Sequence, residues 1–304
     1  MSYPALSTMW AQQPIFANDL AAFARVAKAA GYAGIEVSHS TDQAGLETLL
    51  RDAPLPVPSL HAPTPKMNSR RGAINTALNL AAVDEDERTE AVEHTLRTIR
   101  YAADAGARYV VVHLGGLPRM LAEESDLRRL YNAGRMDSAE AHAARARAPV
   151  RRADLIGPHL DAARRSMADL VADAAPRGVA IGLENRLHFH EVPSADETAA
   201  LLADYALDQA GYWHDVGHAE VQHRLGLIDA PAALGLLAPH LIGAHLHDVR
   251  GILDHRAPGS GDVDWSYIRL RCGRMWPAPS RSTSGSRPLL SQAITFLRGA
   301  GVLE

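Results

Sequence analysis

GYWHDVGHAEVQHRLG at Gly211–Gly226, then a helical segment, then LIGAHLHDVRGILDHRAPGSGDVDW at Leu241–Trp265, is the stretch that decides the fold. Two short apolar runs end in acid or histidine. Asp215 closes the first, His245 and His247 close the second, and His218 and His255 follow just beyond. Strand, helix and strand, with each strand delivering a polar side chain to a common end, is the repeat of a (β/α)8 barrel, whose functional groups collect where the strands finish. Side chains on a strand alternate faces, so His245 and His247 point the same way and can look into one pocket.

Outward from this core the same alternation continues. Ala5–Trp10 is a short apolar run, and Asn18 is placed to cap a helix with Leu20, Phe23, Val26 and Ala27 at helical spacing. Gly34–Ser38 is a second strand carrying Glu36, and Val57–His61 a third, bounded by prolines and ending in His61. A long helix over about residues 86–105 leads to the β-branched run Tyr109–Val112 and His113. A helix from about 159 to 175 leads to Val179–Glu184, followed by Asn185 and Arg186, and Ser194 with Glu197 spells a capping box for the next helix. Seven strands alternating with helices favour a closed barrel of parallel strands over an open sheet.

Two regions depart from the repeat. Residues 116–158 are longer than an ordinary strand-to-helix connection and rich in Ala and Arg, including Arg145, Arg147, Arg151 and Arg152. They read as a partly helical excursion over the pocket mouth, either a solvated decoration or an anion-binding lid. After Trp265 an eighth strand is due, yet residues 269–287 read RLRCGRMWPAPSRSTSGSR, without a β-branched run, and no Asp or Glu follows until Glu304. The eighth strand is therefore degenerate, or the segment is foreign to the rest of the chain. One barrel over residues 1–304, with an insertion and an atypical tail, is the simplest organisation.

Composition narrows the function. With 304 residues and 47% hydrophobic content the chain can bury a full core. A net charge of −4 gives no general attraction for nucleic acid. The single cysteine, Cys272, rules out an intrachain disulfide or a thiolate cluster, whereas 15 histidines and many carboxylates supply nitrogen and oxygen ligands. The N-terminus lacks a basic segment followed by an apolar one, and no run approaches the ~18 apolar residues of a membrane span. The expectation is a cytoplasmic enzyme with a small-molecule partner, neither nucleic acid nor membrane, with a homo-oligomer left open.

Glu184 and Asp215, at the ends of apolar strands, converge on one cavity, and desolvating each ion carries a penalty of several kcal/mol unless a cation balances it. Arg186 is one such cation. A divalent metal held by Glu184, Asp215 and His245 satisfies both carboxylates and accounts for the imidazole, and a ligand set of oxygen and nitrogen suits Mn²⁺, Zn²⁺, Co²⁺ or Fe²⁺. His61 and His113 reach the same rim and are candidates for a second ion. Glu36 reads as structural or as a partner behind the ligands. His39, His94, His142 and His240 read as surface residues.

LHAP at 60–63, VVHLG at 111–115, GLENR at 182–186, HDVGHAE at 214–220, HLHD at 245–248 and HRAPGSGDVDW at 255–265 together resemble the xylose-isomerase-like TIM barrels. That superfamily holds sugar-phosphate isomerases and epimerases, tagatose-type ketose epimerases, inosose-handling enzymes and, more distantly, endonuclease IV. The resemblance implies a metal on Glu184, Asp215 and His245, with His218 near the substrate or a further metal. Relatives add a last-strand Glu that binds metal and acts as a base, which this sequence lacks. His61, His113, His218 and His255 match positions of the endonuclease's multi-zinc cluster, but where that family has a metal-binding Asp this chain has Leu253, with Asp254 shifted by one.

The resulting expectation is a divalent-metal-dependent isomerase or epimerase of a small sugar, sugar phosphate or cyclitol. Glu184, His218 and His247 would be catalytic, and Arg186, Arg250 and His255 would bind substrate. The alternatives are a metal-dependent phosphodiesterase like endonuclease IV, or an impaired barrel acting as a binding protein.

Overall fold

The computed structural model describes residues 4–12, 16, 19–272, 277–278 and 287–303. Seven parallel strands pair in chain order: β1 (Ala5–Ser7), β2 (Gly34–Val37), β3 (Ser59–His61), β4 (Tyr109–Val112), β5 (Ala180–Glu184), β6 (Ala210–Asp215) and β7 (Leu241–His245). An antiparallel hairpin, β8 (Asp248–Arg250) and β9 (Leu253–Arg256), follows β7. An eighth parallel strand, β10 (Pro277–Ala278), pairs with β7 and lies beside β1, so the sheet curls until its edges approach. The register sets Asp215 opposite His245 and Ala278 opposite His245 on the other side. Neighbouring strand ends are thereby level at the rim.

The interior is packed with side chains. Trp213 on β6, 2% exposed, clusters with Tyr109, Val111, Ala180 and Ile242. Its ring lies across the glycines of both flanking strands: a Cβ on Gly182 would stand 2.8 Å from it and one on Gly243 only 2.1 Å. Both glycines are needed for this close approach, not for an unusual φ. Residues of opposite parity, such as Tyr212 and His214, face the helical layer.

The helices around the sheet include α1 (Leu20–Ala29), α2 (Gln43–Asp52), α3 (Glu85–Asp104), α4 (Ala122–Asn132) and α5 (Ala139–Ala174). They continue with α6 (Ala195–Leu202), α7 (Val216–Arg224), α8 (Ala230–Leu237), α9 (Trp265–Cys272) and α10 (Arg287–Gly299). Among the described residues none is long and apolar enough to cross a membrane. The expected capping box is present: Ser194 Oγ accepts from Glu197 N–H and Glu197 accepts from Ser194 N–H at 2.7 Å. At α1 the cap is Asp19, whose carboxylate accepts from Ala22 N–H at 2.7 Å, while Asn18 lies outside the described residues.

Three sequence expectations change. The helix expected to begin near His159 is the second half of the 36-residue α5, which continues through Pro149 and Pro158. A proline inside a helix removes one backbone bond. The buried seam of Ala141, Ala144, Ala148, Arg152 and Ile156 runs on into Ala162, Ala163, Ser166, Met167 and Leu170, so packing along one face outweighs that loss. After Asp264, helix α9 forms before any strand, with Asp264 accepting from Ser266 N–H at 2.9 Å and Trp265 and Ile268 buried at helical spacing. The eighth strand comes later and is two residues long; residues 273–276 and 279–286 of the atypical tail lie outside the described residues. Beyond His245 the chain leaves the sheet, so β7 is shorter than the run Leu241–His247 suggested.

Candidate active site

Glu184, the last residue of β5, is 1% exposed and forms the centre of the rim. Its Oε2 is 2.9 Å from His61 Nε2 and 2.7 Å from His113 Nε2, and its Oε1 is 3.0 Å from His245 Nδ1. Asp215, at the end of β6, reaches the same group: its Oδ2 is 3.5 Å from His245 Nδ1. On the far side His245 Nε2 is 3.1 Å from Glu36 Oε1, and Ser59 Oγ donates to the other oxygen of Glu36 at 2.8 Å. Residues closing different strands thus share contacts at one rim, and Glu36 stands behind His245.

The electrostatics follow from burial and pairing. Burial works to raise the pKa of Glu184, but the charges of His245 and His113 outweigh it and hold the carboxyl well below its usual range. For Asp215 burial is likewise outweighed, by His218 and His247. Burial would make His245 neutral, yet Glu184 and Glu36 hold its pKa well above the ordinary imidazole value. His245 thus bridges Glu184 Oε1 through Nδ1 and Glu36 Oε1 through Nε2. A divalent cation can take the place of a proton between His245 Nδ1 and Glu184 Oε1, and Asp215 Oδ2 lies 3.5 Å from the same nitrogen, so the donor types suit such an ion. Ligand atoms of His61, Glu184 and His245, and of Glu184, Asp215 and His218, also lie within 4.8 Å of one another.

His218, on the first turn of α7, has its ring Nδ1 3.0 Å from the carbonyl oxygen of Asn185, so Nδ1 donates. Burial lowers its pKa, and in the neutral ring Nε2 carries a lone pair. His247 is fully buried and engaged at both nitrogens: Nε2 donates to Asp215 at 2.8 Å, and Nδ1 accepts from His255 N–H at 3.0 Å. The His247 and His255 rings stack at 4.6 Å, and His255 adopts φ of 58°, a left-handed conformation costly for a residue with a Cβ. Asp248 holds the loop beyond the hairpin by accepting from the backbone N–H of Val249, Gly259 and Val263.

His113 and His218, which approach Glu184, also line a cavity of about 300 Å³ whose walls include His39, Arg186, His188 and His255. Arg186 pairs with Glu191 at 2.6 Å, and its Nη1 is buried with no hydrogen-bond partner among the described residues. The structure brings Glu184, Asp215, His245, His61, His113, His218, Arg186 and His255 together. Two expected site residues stand elsewhere: His247 is behind Asp215 rather than in the cavity wall, and Arg250 is exposed with its guanidinium on the carbonyl of Ser260.

The excursion behaves differently from either expectation. Arg152 is buried and spends its donors within the protein, on Glu197 at 2.6 and 2.7 Å and on the carbonyls of Phe189 and Glu191. None of Arg145, Arg147, Arg151 and Arg152 lines the cavity. Glu124 on α4, fully buried, accepts from Arg128, from Phe189 N–H and from the rings of His188 and His190. The excursion thus clamps the loop after β5 that carries Arg186 and His188.

Of the histidines expected at the surface, His39 is instead a wall of the cavity, its ring centroid 4.9 Å from that of His61. It directly follows the β2 run, so the strand-end argument used for His61 would have found it. His94 is buried on α3, beside Asn75 and Arg97, where packing covers it. His188 carries no comparable sequence signal, being brought in by Glu124 from a distant segment.

The chain belongs to the xylose isomerase-like TIM barrel family, whose model matches residues 24–271. The structure is similar to L-ribulose 3-epimerase, with a TM-score of 0.70, 15% identity and 99% and 95% of the two chains covered. It is also similar to 3-keto-D-glucoside 4-epimerase YcjR from E. coli, with a TM-score of 0.66, 14% identity and coverage of 98% and 100%. A third is the TTHB071 protein from Thermus thermophilus, solved after soaking with ZnCl2, with a TM-score of 0.62, 20% identity and coverage of 98% and 97%. At these identities the likeness establishes the barrel fold. No curated protein matches the sequence.

Proposed function

We propose that the protein is a divalent-metal-dependent isomerase or epimerase acting on a small polyhydroxy carbonyl compound, a sugar, sugar phosphate or cyclitol. The observation that carries this is Glu184, a buried carboxylate touched by three imidazoles, one of which, His113, also lines a cavity of about 300 Å³. Two of the structures it resembles bear the names of sugar epimerases, which supports the same class.

Glu184, Asp215 and His245 would hold the ion, whose chemistry is to polarise a carbonyl and the adjacent hydroxyl. Glu184 is also the carboxylate placed to take a proton next to that carbonyl. His218 Nε2, bearing the lone pair, can accept a proton from a substrate hydroxyl, because Nδ1 is committed to Asn185. Arg186 Nη1 supplies a buried cationic donor for a hydroxyl or an anionic group. His247 acts through Asp215, fixing its orientation. No Asp or Glu occurs between Asp264 and Glu304, so on this reading Glu184 works without a last-strand carboxylate, which favours proton transfer on one face.

A second reading, a metal-dependent phosphodiesterase, is favoured by a specific feature: ligand atoms of His218, His247 and His255 lie within 4.8 Å of one another, and His218 joins this group to Glu184 and Asp215. Metal analysis of protein purified without chelators, beside Glu184→Gln and His245→Ala, distinguishes the readings. About one ion per chain, lost in both variants, together with solvent deuterium entering a ketose or inosose, is the expected result. Two or three zinc ions with phosphodiester cleavage would turn the assignment to the second reading, sugar binding without exchange would make the chain a binding protein, and no bound metal would refute both enzymatic readings.

A further inference from the structure

On the outer side of β5 and β6 a cleft of about 660 Å³ opens between the sheet and helices α5, α6 and α8, with Arg186 and His188 standing between it and the first cavity. Its volume lies within the ~300–1,000 Å³ of ordinary small-molecule sites. Ile156, Phe189, Ile228 and Leu237 give it apolar walls, Leu236 stands at its edge, and His214 and Tyr212 form its base. Among the charged side chains bordering it, Arg152 pairs with Glu197 and Arg186 with Glu191, and Asp196 and Asp229 stand at the rim.

His214 is 1% exposed, and its Nε2 has no hydrogen-bond partner among the described residues. Its protonation pattern can be traced from the backbone. Asp215 N–H donates to Asn185 Oδ1 at 2.6 Å, and Asn185 Nδ2 donates to the Asp215 carbonyl at 2.9 Å, which fixes the amide orientation. Tyr212 O–H donates to that same Oδ1 at 3.0 Å. The tyrosine's proton is therefore committed, and His214 Nδ1, 2.7 Å from the tyrosine oxygen, must be the donor to it. A buried imidazolium with an unpaired N–H would be strongly disfavoured, so Nε2 carries a lone pair. A buried acceptor left without a donor is destabilising. A ligand bringing one donor into an otherwise apolar cleft removes that cost.

We infer that this cleft is a second small-molecule site, taking an uncharged and largely apolar ligand, aromatic or aliphatic, that presents one hydroxyl or N–H to Nε2 of His214. The apolar walls favour a largely apolar ligand without charge, and of the two residues at the base His214 is the one with a nitrogen unpartnered among the described residues. This inference does not depend on the reaction at Glu184.

The test uses the full chain and two probes of nearly equal size, indole and 1-methylindole, which differ in the single N–H. Binding is measured by isothermal titration and ligand-observed NMR on wild type, His214→Phe and Leu236→Trp. Leu236 is 46% exposed, so its replacement fills the mouth without entering the core. The melting temperature of each variant checks folding. Indole should bind at least tenfold more tightly than 1-methylindole to wild type, His214→Phe should abolish that preference, and Leu236→Trp should remove binding of both. Indole failing to bind the folded wild type at millimolar concentration would overturn the inference. So would equal binding of the two probes, since it would show that His214 Nε2 recognises no ligand donor.

Discussion

Replacing Glu124 with glutamine tests how the excursion holds the loop bordering the candidate active site. The carboxylate is fully buried and takes Arg128 Nη2 at 3.0 Å, His188 Nδ1 at 2.9 Å and Phe189 N–H at 3.0 Å. Burial alone would raise its pKa. Hydrogen bonds from His188 and His190, with the charges of His188 and Arg128, reverse this and bring it from 4.5 to about 2. At ~1.4 kcal/mol per pKa unit the ionised form contributes about 3 kcal/mol to folding. Because the folded pKa is depressed, this stabilisation is fully present above the unfolded value of 4.5 and disappears as pH falls towards about 2. Urea unfolding of wild type and Glu124→Gln at pH 7 should differ by about 2–3 kcal/mol, since the amide keeps one acceptor. The difference should shrink steadily below pH 4.5, as the carboxylate of the unfolded wild type gains its proton while the folded one stays ionised until about pH 2. A difference under ~0.5 kcal/mol at pH 7, or one independent of pH, would refute the reasoning, because the charge would then be doing little at this junction.

Removing His247, which orients Asp215 from behind, as His247→Leu should weaken metal binding by roughly 10–100-fold when Mn²⁺ or Zn²⁺ is titrated; unchanged affinity would count against Asp215 as a ligand. Gly243→Ala should lose about 1–3 kcal/mol in urea unfolding, because its methyl would stand 2.1 Å from the Trp213 ring, and a neutral result would mean that the ring can move aside within the barrel. Arg186→Met should lower affinity for a phosphorylated sugar at least tenfold while leaving a neutral sugar little affected; equal losses for both would assign Arg186 to holding Glu191 instead.

The barrel was legible in the chain because alternation of apolar runs with helical segments is local. The strands around Glu36, His61, Val111, Glu184, Asp215 and His245 each showed an apolar run closed by turn-forming residues. Parallel strands in order then bring their terminal residues to one rim without further information, which is why the meeting of Glu184, Asp215 and His245 at that rim could be expected from position. His39 obeys the same rule less visibly, because it follows its strand by two residues instead of closing it.

Tertiary structure decided what depends on distant partners. Proline ends an isolated helix by local sterics, yet Pro149 and Pro158 sit inside α5 because its buried face spans both. Arg152 and Arg145 look alike as members of a basic run, and only the approach of Glu197 and the Phe189 and Glu191 carbonyls makes Arg152 a buried clamp. His247 shares a strand-end pattern with His245, but its distance to Asp215 and the backbone of His255 make it a support for the site. Hydrophobic periodicity is a property of neighbours in sequence and fixes which elements form. Which buried polar group meets which partner is set by segments tens to hundreds of residues apart, and desolvation makes those meetings obligatory only once the core has closed.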